Sequence, residues 1–194
     1  MNKKQGNILI LAAPSGGGKS TMAHRLLKDF KNIRFSVSAT TRAPRPGETD
    51  GKDYYFLTDG EFREKINNGE FLEWEEFYNG KRYGTLRSDV EKKRREGYFI
   101  LLDIDVLGAA SIKKLYGDEA LSIFLKPPSM EELRKRLENR RTESADSLET
   151  RLKRAGKEIE YSDTFDRVIV NDDLEQAYQQ VKKAVRAFME ASAK

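Results

Sequence analysis

The chain has 194 residues, no cysteine and a formal net charge of +4, with 38% of its residues hydrophobic and 35% charged. That length fits one domain, or one core with small appendages, and the recurring aromatic and β-branched residues exclude a disordered chain. Without cysteine there is no disulfide framework, thiolate metal site or cysteine nucleophile, and a reducing cytoplasm is the expected setting.

The excess of positive charge admits acidic ligands, but both signs are dense throughout and a solvated surface accounts for most of it. Lys3 and Lys4 precede the apolar run 8–13, which faintly resembles a signal peptide. That run is too short for a secretory core and leads into a glycine-rich loop, so a buried strand is the better reading. Nothing else approaches the length of a membrane span.

In chain order, residues 7–12 read as a buried strand and 19–30 as a helix, with Met22, Ala23, Leu26, Leu27 and Phe30 on its apolar face. Residues 33–39 read as a strand, and 40–53, holding Pro44, Pro46, Gly47 and Gly51, as a loop. A short strand at 54–57, a helix at 61–68 and a strand at 71–78 before the Asn79-Gly80 turn suggest an inserted subdomain. Residues 98–104 form the second strongly apolar strand, followed by a helix at 106–115 and a strand at 120–125 that stops at Pro127 and Pro128.

From 129 to about 162 the pattern is helical and very basic. A last strand spans 167–170, and Asn171, Asp172 or Asp173 caps a final helix whose core face carries Leu174, Ala177, Tyr178, Val181, Val185 and Phe188. Strands alternating with helices predict an α/β fold with a mainly parallel sheet flanked by helices, and ligands bound beyond the carboxyl ends of the strands.

The strongest local signal is Ala13-Pro14-Ser15-Gly16-Gly17-Gly18-Lys19-Ser20-Thr21, a near match to the P-loop pattern with alanine in place of its first glycine. Consecutive glycines let backbone N–H groups line an anion nest, and the helix that follows adds the positive end of its dipole. Lys19 is suited to reach β- and γ-phosphates, and the Ser20 hydroxyl to ligate Mg²⁺. A dinucleotide fingerprint would need glycine where Thr21 stands. The loop says nothing about the acceptor of a phosphoryl group. On residues 35–48, Arg42 and Arg45 sit on a proline-braced stretch that suits a dianionic phosphate, although two solvated arginines read equally well.

Segments 35–48, 51–56, 70–74, 83–84, 102–105, 127–129, 136–140 and 168–174 together resemble guanylate kinase in order and spacing over nearly the whole chain. The resemblance implies a P-loop core with a five-stranded sheet, an inserted mixed α/β GMP-binding subdomain and a helical lid. The expected boundaries are core at 1–35, 91–126 and 161–194, GMP-binding subdomain at 36–90 and lid at 127–160. It implies phosphorylation of GMP, and of dGMP, by ATP with Mg²⁺, with neither nucleic acid nor membrane as a partner.

By the same resemblance Arg42, Arg45, Tyr54 and Tyr83 contact the acceptor phosphate, and Ser38, Glu73 and Thr85 contact guanine, with Asp103 and Asp105 nearby. Arg136, Arg140 and Arg151 match lid arginines, and Asn171 falls where the adenine is bordered. Lys19, Arg42, Arg140, Arg151 and Asp103 are the expected catalytic set. Three positions depart from the family pattern: Ala13, Leu107 and Arg141.

The base assignment also makes chemical sense. A carboxylate takes the N1–H and N2–H donors of guanine, whereas adenine would oppose it with a lone pair, and a Ser or Thr hydroxyl donates to O6. On sequence alone Glu73 is one more acid in an acidic strand, and Trp74 beside it reads as a packing residue. The sole histidine, His24, reads as a surface residue. The basic run 134–154 is diluted by Glu138, Glu143 and Glu149 and lacks interleaved aromatics, which disfavours an RNA-binding surface.

Overall fold

The computed structural model describes residues 5–77, 80–139 and 145–193. The expected strand end at Tyr78, the turn residue Asn79, the lid residues Arg140 and Arg141, and Glu143 lie outside the described residues. The chain divides into two compact units, Met1–Asn7 with Asn32–Ile100 and Ile8–Lys31 with Leu101–Lys194.

In chain order the first half runs β1 (Ile8–Ala12), α1 (Lys19–Asp29), β2 (Ile33–Phe35), β3 (Ser38–Thr40), β4 (Tyr55–Phe56), α2 (Asp59–Asn67), β5 (Phe71–Glu76), β6 (Arg82–Leu86) and α3 (Arg87–Arg95). The second runs β7 (Phe99–Asp103), α4 (Val106–Tyr116), β8 (Ala120–Lys126), α5 (Met130–Glu138), α6 (Ala145–Glu160), β9 (Arg167–Val170) and α7 (Leu174–Ala193).

One sheet has five strands in the order β2-β7-β1-β8-β9. β1 pairs in parallel with β8 from Ile8 opposite Ala120 to Ala12 opposite Phe124, and β8 pairs in parallel with β9. Every residue of β1 is buried, which is why its sequence shows no polar alternation. Around this sheet lie the buried faces of α1 (Met22, Ala23, Leu26) and α4 (Val106, Ala109, Ile112). Ala177, Tyr178, Val181 and Val185 of α7 are buried too. The P-loop α/β architecture expected from the sequence is therefore present.

The second sheet has four strands in the order β4-β3-β6-β5 and is mixed: β3 runs parallel to β4 and antiparallel to β6, and β6 is antiparallel to β5. Its small core holds Ala39, Phe62 and Phe71, with the two phenylalanine rings stacked at 4.4 Å. α2 opens with a capping box in which the Thr58 hydroxyl accepts from the Glu61 N–H and the Glu61 carboxylate accepts from the Thr58 N–H.

Several local expectations are corrected. The predicted strand 33–39 is two strands, β2 and β3, because Ser36 and Val37 carry the chain from one sheet to the other. β6 and α3 do not emerge from the periodicity: β6 is short and follows a turn, and α3, with the sequence RSDVEKKRR, has few apolar residues to mark its buried Val90. Leu174 is 43% exposed rather than part of the core face, since Asp173 caps α7 and leaves Leu174 on its outer first turn. His24 is exposed, as expected.

Candidate functional site

In the second unit, β1 delivers the chain into the phosphate loop with Ala13 and Pro14 still buried. The Gly17 N–H closes a tight turn onto the Pro14 carbonyl at 2.8 Å. A side chain at Gly17 would meet the Ala13 Cβ at 2.8 Å and the Pro14 oxygen at 2.9 Å, so the turn excludes one. Gly18 precedes α1 in the left-handed region at φ 91°, caps it with no side chain, and is followed by a first turn without acids. The positive end of α1 and its first N–H groups are thus left for an anionic ligand.

Lys19 is held at this end. Its Nζ lies 2.7 Å from Asp103 Oδ1 and donates to the Ile104 carbonyl at 3.1 Å, at the carboxyl end of β7. Ser15, Ser20 and Thr21 are exposed around it. Asp105 caps α4, accepting from the Gly108 N–H at 2.7 Å, and its other oxygen lies 3.9 Å from Arg154 Nη2. Asp105 is therefore the N-cap of α4. Leu107, the next departure from the family pattern, points outward at 51% exposure.

α5 and α6 pack through Leu133, Leu137, Leu152 and Ala155. A side chain at Gly16 would touch Leu133 and Leu137 at 3.1 Å, so α5 lies against the loop. Arg151 of α6 reaches the Ser15 hydroxyl at 3.5 Å. Arg136 of α5 turns elsewhere: its Nη1 donates to the Asn171 carbonyl at 2.9 Å and its Nε to Glu132 at 3.2 Å. Asn171 itself is buried, and its carboxamide donates to the Gly17 carbonyl at 2.8 Å.

In the first unit, strand register builds the second constellation. Ser38 on β3 pairs with Thr85 on β6, and Thr85 pairs with Glu73 on β5, so the three side chains line one face of the sheet. Thr40, Tyr83 and Glu75 follow two residues along on that same face. A bulge in β5 between Phe71 and Glu73 breaks the alternation, so Phe71 enters the core while Glu73, two residues later, faces the other way.

The Thr85 hydroxyl, fully buried, donates to Glu73 Oε1 and fixes the carboxylate. The sequence reading gave Thr85 a direct base contact; the fold gives it this internal partner. Trp74 lies on the core face of the edge strand β5 and is 45% exposed, so it is not the packed residue expected.

Arg42 lies 5.0 Å from the Tyr54 ring centroid and 5.7 Å from that of Phe56, and Tyr83 packs edge-on against Tyr54 at 6.0 Å. Its two Nη atoms grip both oxygens of Glu48, at 2.7 and 2.8 Å. Glu48 also accepts from the Arg45 N–H at 2.7 Å, while Arg45 is itself exposed. The bond to Glu48, above all, pushes Arg42 upward, and Arg42, followed by the Arg45 N–H, pulls the Glu48 carboxyl from its ordinary 4.5 down to about 2. Glu48 was not singled out from the sequence, although its place directly after Arg45-Pro46-Gly47 was the available signal. Among the described residues no group of three or more His, Asp or Glu side chains is arranged to hold a metal ion.

Comparison with known proteins follows this geometry. A family model for guanylate kinase matches residues 5–188. The guanylate kinase of Salinibacter ruber is 51% identical over 183 residues, covering 94% of this chain and 97% of that protein. That of Porphyromonas gingivalis is likewise 51% identical over 183 residues, with 94% and 97% covered. The crystal structure of guanylate kinase from Anaplasma phagocytophilum superposes with a TM-score of 0.76 at 40% identity, covering 95% of this chain and 87% of that one. Phosphate loop, register-aligned carboxylate and full-length similarity agree, and the chain belongs to the guanylate kinase family.

Proposed function

We propose that the chain transfers the γ-phosphoryl group of ATP to GMP, giving ADP and GDP, and that it accepts dGMP as well. The observation that carries this reading is the alignment of Ser38, Thr85 and Glu73 across three strands, with Glu73 oriented by the Thr85 hydroxyl. A fixed carboxylate suits the paired N1–H and N2–H donors of guanine and opposes the N1 lone pair of adenine. Arg42, braced by Glu48, and Arg45 supply guanidinium donors for the GMP phosphate beside Tyr54 and Tyr83.

The donor side is the loop Ala13–Thr21, whose N–H groups and Lys19 cradle the triphosphate. A GMP phosphate oxygen attacks Pγ, and the bond from Pγ to the bridging oxygen of ADP breaks. The nucleophile is already an anion, so alignment and charge neutralisation matter more than a general base. Lys19, held between Asp103 and the Ile104 carbonyl, and Arg151 at Ser15 offset negative charge on the transferred group.

The exposed Ser20 hydroxyl in the first turn of α1 fits a Mg²⁺ that takes its other ligands from phosphate and water, and the ion would neutralise charge on the β- and γ-oxygens. The segment 127–160 acts as a lid, with Arg136, Arg140 and Arg151 as its basic residues; Arg140 lies outside the described residues. ATP and GMP are nucleotides of the cytoplasm, and we place the activity there. No described helix is long and apolar enough to cross a membrane.

The direct test is ADP formation from Mg-ATP with GMP, dGMP, AMP, CMP, UMP or IMP, against an acceptor-free control. Turnover led by GMP, then dGMP, with AMP inert is the expected result. Turnover led by a different base would discard the assignment to Glu73, and folded protein inactive with every acceptor would discard the kinase reading.

A further inference from the structure

We propose that Asn171 is a positioning residue that locks the Gly17–Gly18 peptide plane of the phosphate loop; the proposal rests on the reading of that loop as a polyphosphate site. Asn171 directly follows β9, and each of its main-chain groups is pinned. Its N–H donates to the Lys126 carbonyl at 2.8 Å, one step beyond the β8–β9 ladder. Its C=O accepts from Arg136 at 2.9 Å. With the backbone fixed on both sides, the side chain, only 4% exposed, has its direction set, and its Nδ2 donates to the Gly17 carbonyl at 2.8 Å.

A trans peptide carries its C=O and the next N–H on opposite sides. With the Gly17 oxygen turned toward Asn171, the Gly18 N–H points away from it, free to donate to an anion. This peptide joins two glycines, and glycine meets little steric resistance to reorientation. A flip would replace the donor with a carbonyl lone pair facing phosphate. The Asn171 carboxamide prevents that flip by giving the carbonyl its partner on the other side.

The residue at 18 is matched to the same contact. A Cβ there would stand 2.4 Å from Asn171 Nδ2, so only glycine lets the carboxamide approach. Arg136 acts one step behind, linking α5 to the carbonyl of the residue that holds the loop. The Asn171 side chain thus reaches the loop from the segment that, by the resemblance, borders the adenine.

The test measures dissociation constants of Mg-ATP, Mg-GTP and inorganic tripolyphosphate for the unaltered chain and for Asn171→Ala and Asn171→Leu. Leucine keeps the volume without the N–H, so it reports even where alanine leaves a damaging cavity. Melting temperatures without ligand and KM for GMP complete the set. The expected result is a loss of roughly tenfold, equal for all three polyphosphates, with KM for GMP within about twofold. A loss confined to ATP would mark an adenine contact and overturn the proposal. A lowered melting temperature with unchanged dissociation constants would overturn it as a purely structural role. Failure of the unaltered chain to bind any of the three would overturn the functional reading itself.

Discussion

Replacing Glu73 with glutamine tests the base-recognition argument most sharply. The Thr85 hydroxyl donates to Glu73 Oε1. A glutamine that keeps this bond has only its amino group to put where the second carboxylate oxygen stood. One of the two guanine donors then loses a charged acceptor, worth about 1.5–3 kcal/mol, and meets another donor, which costs about 1–3 kcal/mol more. A total near 3–4 kcal/mol lowers kcat/KM for GMP by roughly 10² to 10³. IMP keeps N1–H and lacks only the 2-amino group, so where the glutamine amino group faces N2 it escapes the opposed donors, and the variant's preference for GMP over IMP should collapse toward unity. Steady-state kinetics with GMP, IMP and AMP, at saturating Mg-ATP, measure both effects. If Glu73→Gln kept kcat/KM for GMP within threefold of the unaltered chain, Glu73 would not be reading the base.

Lys19→Ala should lower kcat by roughly 10² or more while KM for GMP stays within a few-fold, as read by coupled ADP release, because Lys19 lies on the donor side. Glu48 has its folded pKa depressed to about 2 from 4.5, so its contribution is present above pH 4.5 and is lost as pH falls toward 2. The stability gap between the unaltered chain and Glu48→Gln, followed by urea unfolding at several pH values, should stay level above that window and close within it. Phe62→Ala removes a fully buried ring stacked on Phe71 and should cost about 3–5 kcal/mol in urea unfolding.

The five-stranded core was legible because buried parallel strands are continuous apolar runs, and β1, β7 and β8 carry such runs. The loop between β1 and α1 was legible from composition, since three glycines before Lys-Ser leave few alternatives to a turn that opens a helix. The second sheet was only partly legible. β3 is three residues long and continues the apolar pattern of β2, so nothing local marks the change of sheet. β6 carries Tyr83 and Thr85, yet only pairing with strands distant in sequence gives those residues their place. The partners of a polar residue were the least legible feature. The chemistry of Glu48 and Asn171 lies in what their side chains touch, 6 and 154 positions away in sequence, and periodicity carries no trace of either.

The extra residue in β5 separates two duties that regular pleating would have tied together. In an unbroken strand, positions 71 and 73 share a face, and any change to one crowds or empties the surroundings of the other. With the bulge between them, Phe71 answers only to the hydrophobic interior and Glu73 only to whatever lies over the opposite face. A sequence can therefore drift at 73, trying other hydrogen-bonding groups against other bases, while the stacked phenylalanines stay untouched. Deleting Leu72 would leave that separation in place, because Phe71 and Glu73 would become neighbours in a regular strand, opposite Leu86 and Thr85, and neighbours point to opposite faces.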